Sequence, residues 1–337
     1  MSELITESKL RQLAGEWISG GRRVVGPVRI KDRVLYRPLQ SPEPLLIESA
    51  PGGSVRPANS IKEFFFPKLE TLYQYRTRGR NIELIEPAQE FTEQLVVGAR
   101  PCDAAALPIL DHVFNWDFVD DFYNRRRAVT TIVTVACSAT DEACFCTSVG
   151  LAPDDTRGSD AILLALGSGR YEVRCITDKG RALFPGKTET STESAKAAPP
   201  PEAKFDPGKV RAFVDAHFED PIWAEHGCTC MACGVCAFSC PTCHCFDIVD
   251  AGPTAGNARV RTWDTCQFPI FTQHASGHNP RALQPARQRQ RILHKFSIYP
   301  EKFGEILCTG CGNCVRNCPV GLGVLNMLTE IQHGQHL

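Results

Sequence analysis

Apolar residues in the first 185 positions alternate between helical and strand spacing. Apolar residues on one helical face predict a helix over residues 3–18, which Gly20-Gly21 would end. Two runs rich in Val and Ile, from Gln94 to Gly98 and from Ala128 to Ala136, predict buried strands. A further helix is predicted from Asp103 to Phe114, and a late hairpin turns at Gly167-Ser168-Gly169. This mixture predicts an α/β domain.

The pattern changes at residues 186–207, where Thr, Ser, Ala, Pro and charged residues replace large apolar ones. Such a composition is typical of a linker. The chain beyond it is predicted to be mostly helical, starting at Asp206-Pro207 and continuing with helices over 282–296 and 321–332. We therefore expect an α/β domain over residues 1–185, a linker over 186–207 and a helical domain over 208–337.

The second domain contains the pattern C-x-x-C-x-x-C-x-x-x-C-P twice. Three thiolates at this spacing bind one [4Fe–4S] cluster, and the fourth, which precedes the proline, binds the other cluster of the pair. The expected ligands are Cys230, Cys233, Cys236 and Cys318 for cluster 1, and Cys308, Cys311, Cys314 and Cys240 for cluster 2. Zinc sites seldom use this spacing. Disulfides are not expected either, because a chain of 337 residues has its own core.

The interval between the two copies bears on the fold class. Sixty-seven residues separate Cys240 from Cys308, far more than in the small ferredoxins built on β-hairpins. The predicted class is therefore α+β, with an N-terminal mixed α/β domain followed by an α-helical ferredoxin domain that carries both [4Fe–4S] motifs.

Four cysteines of the first domain follow predicted strands. Cys102 comes after the first buried strand, Cys137 ends the second, and Cys144 and Cys146 lie in the next loop. Because strand ends lie side by side at the carboxyl edge of a sheet, these thiols are candidate ligands of a third cluster. The alternative is that they are buried thiols that pack as small apolar side chains. Cys175 is expected to be such a packing residue.

The sequence allows more than one role for several other residues near the motifs. Four cysteines surround the first motif and are either extra ligands or thiols that hydrogen-bond to cluster sulfide: Cys228, Cys243, Cys245 and Cys266. His244, which lies between two of them, is expected to orient its neighbours. A basic run either offsets cluster charge, docks an acidic partner or is a solvated helix face: Arg281, Arg287, Arg289, Arg291 and Lys295.

The composition and the absence of common motifs exclude several classes of function. The net charge of −1 gives no sign of nucleic-acid or membrane binding. The N-terminus lacks a secretory signal, and no apolar run approaches the roughly 20 residues of a membrane helix. The sequence has no GxGxxG, GxxxxGK[ST] or HExxH motif. We therefore expect a cytoplasmic protein with no catalytic residues and no cofactor beyond its two or three clusters.

Several segments resemble one family in order along the chain: FFFPKLETLYQYR, GARPCDAAALPILDHVF, CFCTSVG, CMACGVC, SCPTCHCFD, RTWDTCQF and CTGCGNCVRNCPVGL. The chain resembles the iron–sulfur β subunit of cytoplasmic nickel–iron hydrogenases (sulfhydrogenases) and the related iron–sulfur subunit of anaerobic sulfite reductase. The linker and Cys228 depart from that pattern. The resemblance implies a 4Fe–4S dicluster domain, and a subunit placed between a flavin subunit that handles NAD(P)H and a terminal catalytic subunit.

Three functions follow from these observations. The first is an iron–sulfur electron-transfer subunit of a cytoplasmic oxidoreductase. The second is a self-contained reductase of a small sulfur or thiol substrate, which would use the N-terminal cysteines or Cys243, Cys245 and Cys266. An iron–sulfur redox sensor is the third, but no DNA-reading or signalling module accompanies the motifs.

Overall fold

The computed structural model describes residues 2–47, 55–86, 91–186, 188–252 and 257–334. Its strands are β1 (Ser2–Thr6), β2 (Arg23–Ile30), β3 (Arg33–Pro38), β4 (Leu69–Arg78), β5 (Asn81–Ile85), β6 (Gln94–Ala99), β7 (Thr130–Val135), β8 (Ala161–Gly167), β9 (Arg170–Cys175), β10 (Glu189–Ser191), β11 (Phe246–Ala251) and β12 (Asn257–Trp263). Its helices are α1 (Glu7–Ser19), α2 (Pro101–Ala104), α3 (Ala106–Phe114), α4 (Asp121–Val129), α5 (Asp178–Leu183), α6 (Pro207–Ala216), α7 (Ile222–Thr229), α8 (Val235–Phe238), α9 (Gln284–Leu293), α10 (Tyr299–Phe303), α11 (Asn313–Arg316) and α12 (Val324–His333).

Eight strands form the larger sheet, in the order β10-β1-β9-β8-β7-β6-β2-β3. The central neighbours β2, β6, β7 and β8 run parallel, and the outer pairs are antiparallel. Strand β6 is buried along its whole length and β7 along nearly all of it, as parallel strands covered on both faces should be. The carboxyl ends of β6 and β7 therefore open at the same sheet edge, directly before Cys102 and Cys137.

Helices cover both faces of this sheet. Helix α1 is capped by Thr6, whose Oγ1 accepts the Lys9 N–H at 3.1 Å, and it buries Leu10, Leu13 and Trp17 on one face. Helices α3 and α4 cover the other face with a cluster that includes Phe66. The helix predicted over residues 3–18 begins only at Glu7, because residues 2–6 pair with β9 and β10 instead.

A second sheet has the order β11-β12-β4-β5 and joins distant parts of the sequence. Strand β4 lies before the predicted linker, whereas β12 lies far beyond it, and the two pair antiparallel. A buried ion pair fastens them, since Arg261 Nη2 lies 2.5 Å from Glu70 Oε2. The prediction of a mostly helical second domain did not include the β11–β12 hairpin.

The helices after residue 206 pack around a separate apolar cluster. Asp206 accepts the Gly208 N–H at 2.8 Å and Pro207 opens α6, as the sequence predicted. Helix α9 continues through a π-helical turn over His294–Ile298 into α10, and α12 matches the last predicted helix. The core of this cluster contains Val214, Trp223 and Phe296.

The predicted linker is attached to the body of the protein at several points. It contributes β10 to the large sheet, and Ala195 is buried. Phe205 is also buried, with its ring centroid 5.8 Å from that of Phe145 and 5.9 Å from that of Phe296. The domain boundaries at 186–207 stay a prediction from composition. None of the helices described is long and apolar enough to cross a membrane.

Candidate iron–sulfur centres

The two cysteine motifs fold into the same local structure. Gly234 and Gly312, which follow the second cysteine of each motif, have φ values of 73° and 75° and begin α8 and α11. Two residues earlier, Ala232 and Gly310 are also left-handed, at φ 53° and 63°. Each of these donates its N–H, at 3.5 Å, to the thiol of the first cysteine of its motif. Repeated left-handed turns with N–H groups aimed at sulfur are suited to wrapping a loop around a cluster.

Helices α8 and α11 pack against each other, so the two loops form one unit. Asn313 of α11 donates Nδ2 to the carbonyl of Ser239 at 3.3 Å. The pairing brings the fourth cysteine of the first motif to the second motif, because Cys240 interacts electrostatically with both Cys308 and Cys311. This is the arrangement that the crossed assignment of cluster 2 requires.

The thiols expected for cluster 1 have surroundings that differ from one thiol to the next. Burial is the largest influence on Cys236, raising its pKa to about 11, and the next largest influences are electrostatic ones from Arg291, Cys314, Cys266 and Cys230. Cys233 is exposed. Cys318 accepts the Leu322 N–H at 3.1 Å. The ligand set of cluster 1 stays a prediction.

Among the described residues, no three side chains of His, Cys, Asp or Glu converge closely enough to hold a single metal ion. A zinc ion binds each thiolate at about 2.3 Å, so its ligands must crowd together. A cubane instead places one thiolate on each of four irons, so its ligands are farther apart.

Buried cations face the thiols. Lys295 is 2% exposed and donates Nζ to the Leu307 carbonyl at 2.9 Å, to Thr242 Oγ1 at 3.2 Å and to Cys240 Sγ at 3.5 Å. Arg291 is 3% exposed, and its Nε and Nη2 have no hydrogen-bond partner among the described residues. Burial alone would lower the pKa of both groups, but the surrounding thiols raise it above the ordinary value. A buried cation with unsatisfied N–H groups beside Cys236 and Cys314 fits a negatively charged cluster with acceptor sulfides.

The spacing of these cations explains which part of the basic run points inward. Arg287, Arg291 and Lys295 recur at four-residue intervals and are all buried, because residues four apart share one face of a helix. Arg289 points away from this face and pairs with Glu219 at 3.1 Å. The reading of the whole run as a solvated helix face is therefore wrong for these three residues.

The N-terminal cysteines meet at the sheet edge. Cys102, Cys137 and Cys144 line one small cavity of about 40 Å³, and Cys311 of the second motif lines it as well. Burial is the main cause that raises the pKa of Cys102 and Cys137. Cys146 lies on a short 3-10 turn, and Cys137 and Cys144 are close enough to influence its thiol electrostatically. The structure thus brings all four cysteines together and adds a fifth.

An ion pair joins this cavity to the second motif. Arg316 of α11 donates Nη2 to Cys144 Sγ at 3.1 Å and holds Asp141 with contacts of 2.6 and 2.8 Å. Asp141 in turn accepts the Cys144 N–H at 3.2 Å. A Cβ on Gly310 would lie 2.5 Å from Cys146 Cα, so the two loops touch without space between them. The N-terminal cysteines therefore form a third candidate site in direct contact with the second motif.

Comparison with known proteins agrees with this geometry. Residues 229–322 match the family described as "4Fe-4S dicluster domain". The chain carries a 4Fe-4S dicluster domain. It is also 28% identical, over 334 residues, to sulfhydrogenase 2 subunit beta of Pyrococcus furiosus, covering 93% of both chains. No solved structure is significantly similar. The resemblance to iron–sulfur β subunits is thereby confirmed, and the cofactors are [4Fe–4S] clusters.

Glutamines around the dicluster domain donate to its thiols. Gln284 and Gln288 of α9 donate Nε2 to Cys230 Sγ at 3.1 and 2.9 Å. Gln267 donates Nε2 to Cys266 Sγ at 3.4 Å. Hydrogen bonds to cluster sulfur raise the reduction potential of a cluster. The sequence contained these residues without a motif to single them out.

Of the remaining cysteines near the dicluster domain, one contacts an assigned ligand, two contact each other and one is exposed. Cys243 hydrogen-bonds to Cys240, and Cys245 to Cys266. Cys228 is exposed on α7. His244 lies between the pairs, where burial lowers its pKa to about 4 and its Nδ1 contacts the Thr242 carbonyl at 3.0 Å. Lys62, from the first half of the chain, is also buried here and donates Nζ to the Cys243 carbonyl at 2.8 Å.

Proposed function

We propose that the chain is an iron–sulfur electron-transfer subunit of a cytoplasmic multi-subunit oxidoreductase. It would relay electrons between a partner that binds flavin and NAD(P)H and a terminal catalytic subunit of hydrogenase or sulfite reductase type. The similarity to a sulfhydrogenase β subunit over 93% of the chain supports the partners. Each cluster would supply the exchange of one electron at a time.

The continuity of the thiol sites is the observation that carries this proposal. The cavity of Cys102, Cys137 and Cys144 also contains Cys311. Cys311 neighbours Cys240 and Cys314, and Cys314 neighbours Cys236 of the first motif. A row of adjoining redox sites through one chain is what an electron relay between two partners needs.

We assign cluster 1 to Cys230, Cys233, Cys236 and Cys318, cluster 2 to Cys308, Cys311, Cys314 and Cys240, and a third cluster to Cys102, Cys137, Cys144 and Cys146. The protein's own part in the relay is to hold these thiols, to offset their charge with Arg291 and Lys295, and to keep water from the buried ones. Arg316 would fix Cys144 relative to the second motif.

Anaerobic iron and sulfide analysis tests the cluster count. About twelve irons per chain would support three [4Fe–4S] clusters, and about eight would support two. About four irons or fewer in fully reconstituted protein would contradict the relay, because one cluster cannot span the row of sites.

Isolation of the tagged chain from its native cells tests the partners. We expect it to arrive with two companions, one a flavoprotein and the other a further metalloprotein. A cluster-loaded chain that is a stable monomer under anaerobic, low-salt conditions would contradict the proposal.

A further inference from the structure

Two cysteines near the first motif lie in contact but are not needed for the clusters. The two motifs supply eight thiolates, which is the number that two cubanes require, and Cys245 and Cys266 are not among them. The Cys245 thiol contacts both the thiol and the backbone N–H of Cys266. Both residues are half-buried, so they are held by the fold and remain within reach of small molecules.

The base of the β11–β12 hairpin holds this pair in place. Phe246 and Trp263 are the last paired residues of the hairpin, and the Asp264 N–H donates to the Cys245 carbonyl at 3.0 Å. Cys245 therefore lies one residue before β11 and Cys266 three residues after β12, at the same end of the hairpin. Because β12 is also paired with β4, the two backbones are fixed in position and the thiols meet without rearrangement.

The surroundings connect the pair with the first motif. Gln284 donates Nε2 both to Gln267 Oε1 at 2.9 Å and to Cys230 Sγ at 3.1 Å. Gln267 donates to Cys266 Sγ, so one chain of amides joins Cys266 to Cys230. The buried guanidinium of Arg291 faces Cys266 as well as Cys236. The hydrogen bond from Cys245 lowers the pKa of Cys266 to about 6, which favours its reactive thiolate form.

We propose that Cys245 and Cys266 form a reversible dithiol–disulfide couple that exchanges two electrons beside the first cluster site. On oxidation of the Cys245 thiol and the Cys266 thiolate, one S–H bond breaks, one S–S bond forms, one proton leaves to water, and two electrons pass singly to one-electron carriers of the [4Fe–4S] class. On reduction such carriers return the two electrons singly, the S–S bond breaks, and water supplies the one proton. The pair would thus store two electrons next to carriers that move one at a time. This proposal rests on the proposed electron-transfer function.

Differential alkylation of the whole, cluster-loaded protein tests the couple without any substitution. Samples are poised with dithionite or with a mild oxidant, treated with iodoacetamide under denaturing conditions, digested and analysed by mass spectrometry. We expect both cysteines to be alkylated after reduction, and a cross-linked Cys245–Cys266 peptide after oxidation. Cys228 should be alkylated in both states and serves as the internal control. Full alkylation of both cysteines in the oxidised sample would overturn the proposal.

Coulometric titration gives a second readout. The Cys266→Ser variant should keep the iron content of the wild type and accept about two fewer electrons per chain. Cys228→Ser is the matched control and should change neither quantity. A Cys266→Ser protein that has lost iron would show that Cys266 is a cluster ligand, and would overturn the couple. An iron-free wild type would instead contradict the proposed electron-transfer function.

Discussion

Replacing Lys295 by Met should lower the reduction potential of the cluster assigned to Cys240. Lys295 is a buried cation whose Nζ lies 3.5 Å from Cys240 Sγ. A reduced cluster is more negative than an oxidised one, so a fixed positive charge beside it stabilises the reduced state more. Removing that charge must therefore make reduction harder.

The size of the shift follows from the distance. An electron spread over the cluster would lie on the order of 6 Å from Nζ, since the cluster extends beyond the sulfur. At an effective dielectric constant of about 20, this charge pair is worth about 2.8 kcal/mol. For a one-electron couple, 1.4 kcal/mol corresponds to about 59 mV, so the expected decrease is about 120 mV. The variant should still fold, because Thr242 Oγ1 continues to donate to the Leu307 carbonyl at 2.9 Å.

Redox titration followed by electron paramagnetic resonance measures the shift in iron-matched samples. Lys302→Met removes an exposed lysine from α10 and should move the potential by only a small fraction of that amount. Lys295→Arg should restore most of the wild-type potential. An unchanged potential in Lys295→Met, at full iron content, would refute the reasoning that this buried charge tunes the cluster.

Three further predictions concern the third site, the sheet junction and the contact between loops. Cys144→Ser should reduce the iron content from about twelve to about eight per chain by chemical analysis, and an unchanged content would exclude Cys144 as a ligand. Glu70→Ala should lower the free energy of unfolding by about 1.5–3 kcal/mol in denaturant titrations, because the buried Arg261 loses its charge-assisted hydrogen bonds to Glu70 and keeps those to Asp120; Glu193→Ala, which breaks an exposed pair, should cost less than about 1 kcal/mol. Gly310→Ala should reduce iron loading or solubility, because its Cβ would collide with the Cys146 backbone, whereas Gly79→Ala, at a similar positive φ in open space, should retain both.

Local patterns were enough to predict the central elements of the fold but not its sheet edges. The Val- and Ile-rich runs correspond to β6 and β7, and the late hairpin corresponds to β8 and β9. Residues 2–6 carry the same apolar spacing as a helix, and only their pairing with β9 and β10 makes them a strand. The pairing of β4 with β12 joins segments roughly 190 residues apart. Such contacts depend on tertiary packing, which a window of sequence does not contain.

In the candidate site, too, residue spacing predicted some features, and others depend on tertiary packing. Cysteine spacing identified the two motifs because ligation of a cubane imposes a fixed interval, and strand ends identified the N-terminal group because parallel strands end at one edge. Cys311 reaches the N-terminal cavity through tertiary contacts, such as that of Gly310 with the 145–146 loop and that of Arg316 with Asp141, which no interval encodes. The buried lysine at position 62 likewise comes to Cys243 from 181 residues away.

Charge balance links these observations. Two cubanes with four thiolates each carry about four negative charges in total, and the formal net charge of −1 of the chain takes no account of them. Lys62, Arg291 and Lys295 are each at most 3% exposed and lie among the cysteines. Burying three cations together is costly unless negative charge is also present. Their position is therefore an independent indication that the dicluster domain folds around anionic clusters, and it accounts for a basic run that looks like a solvated surface in the sequence alone.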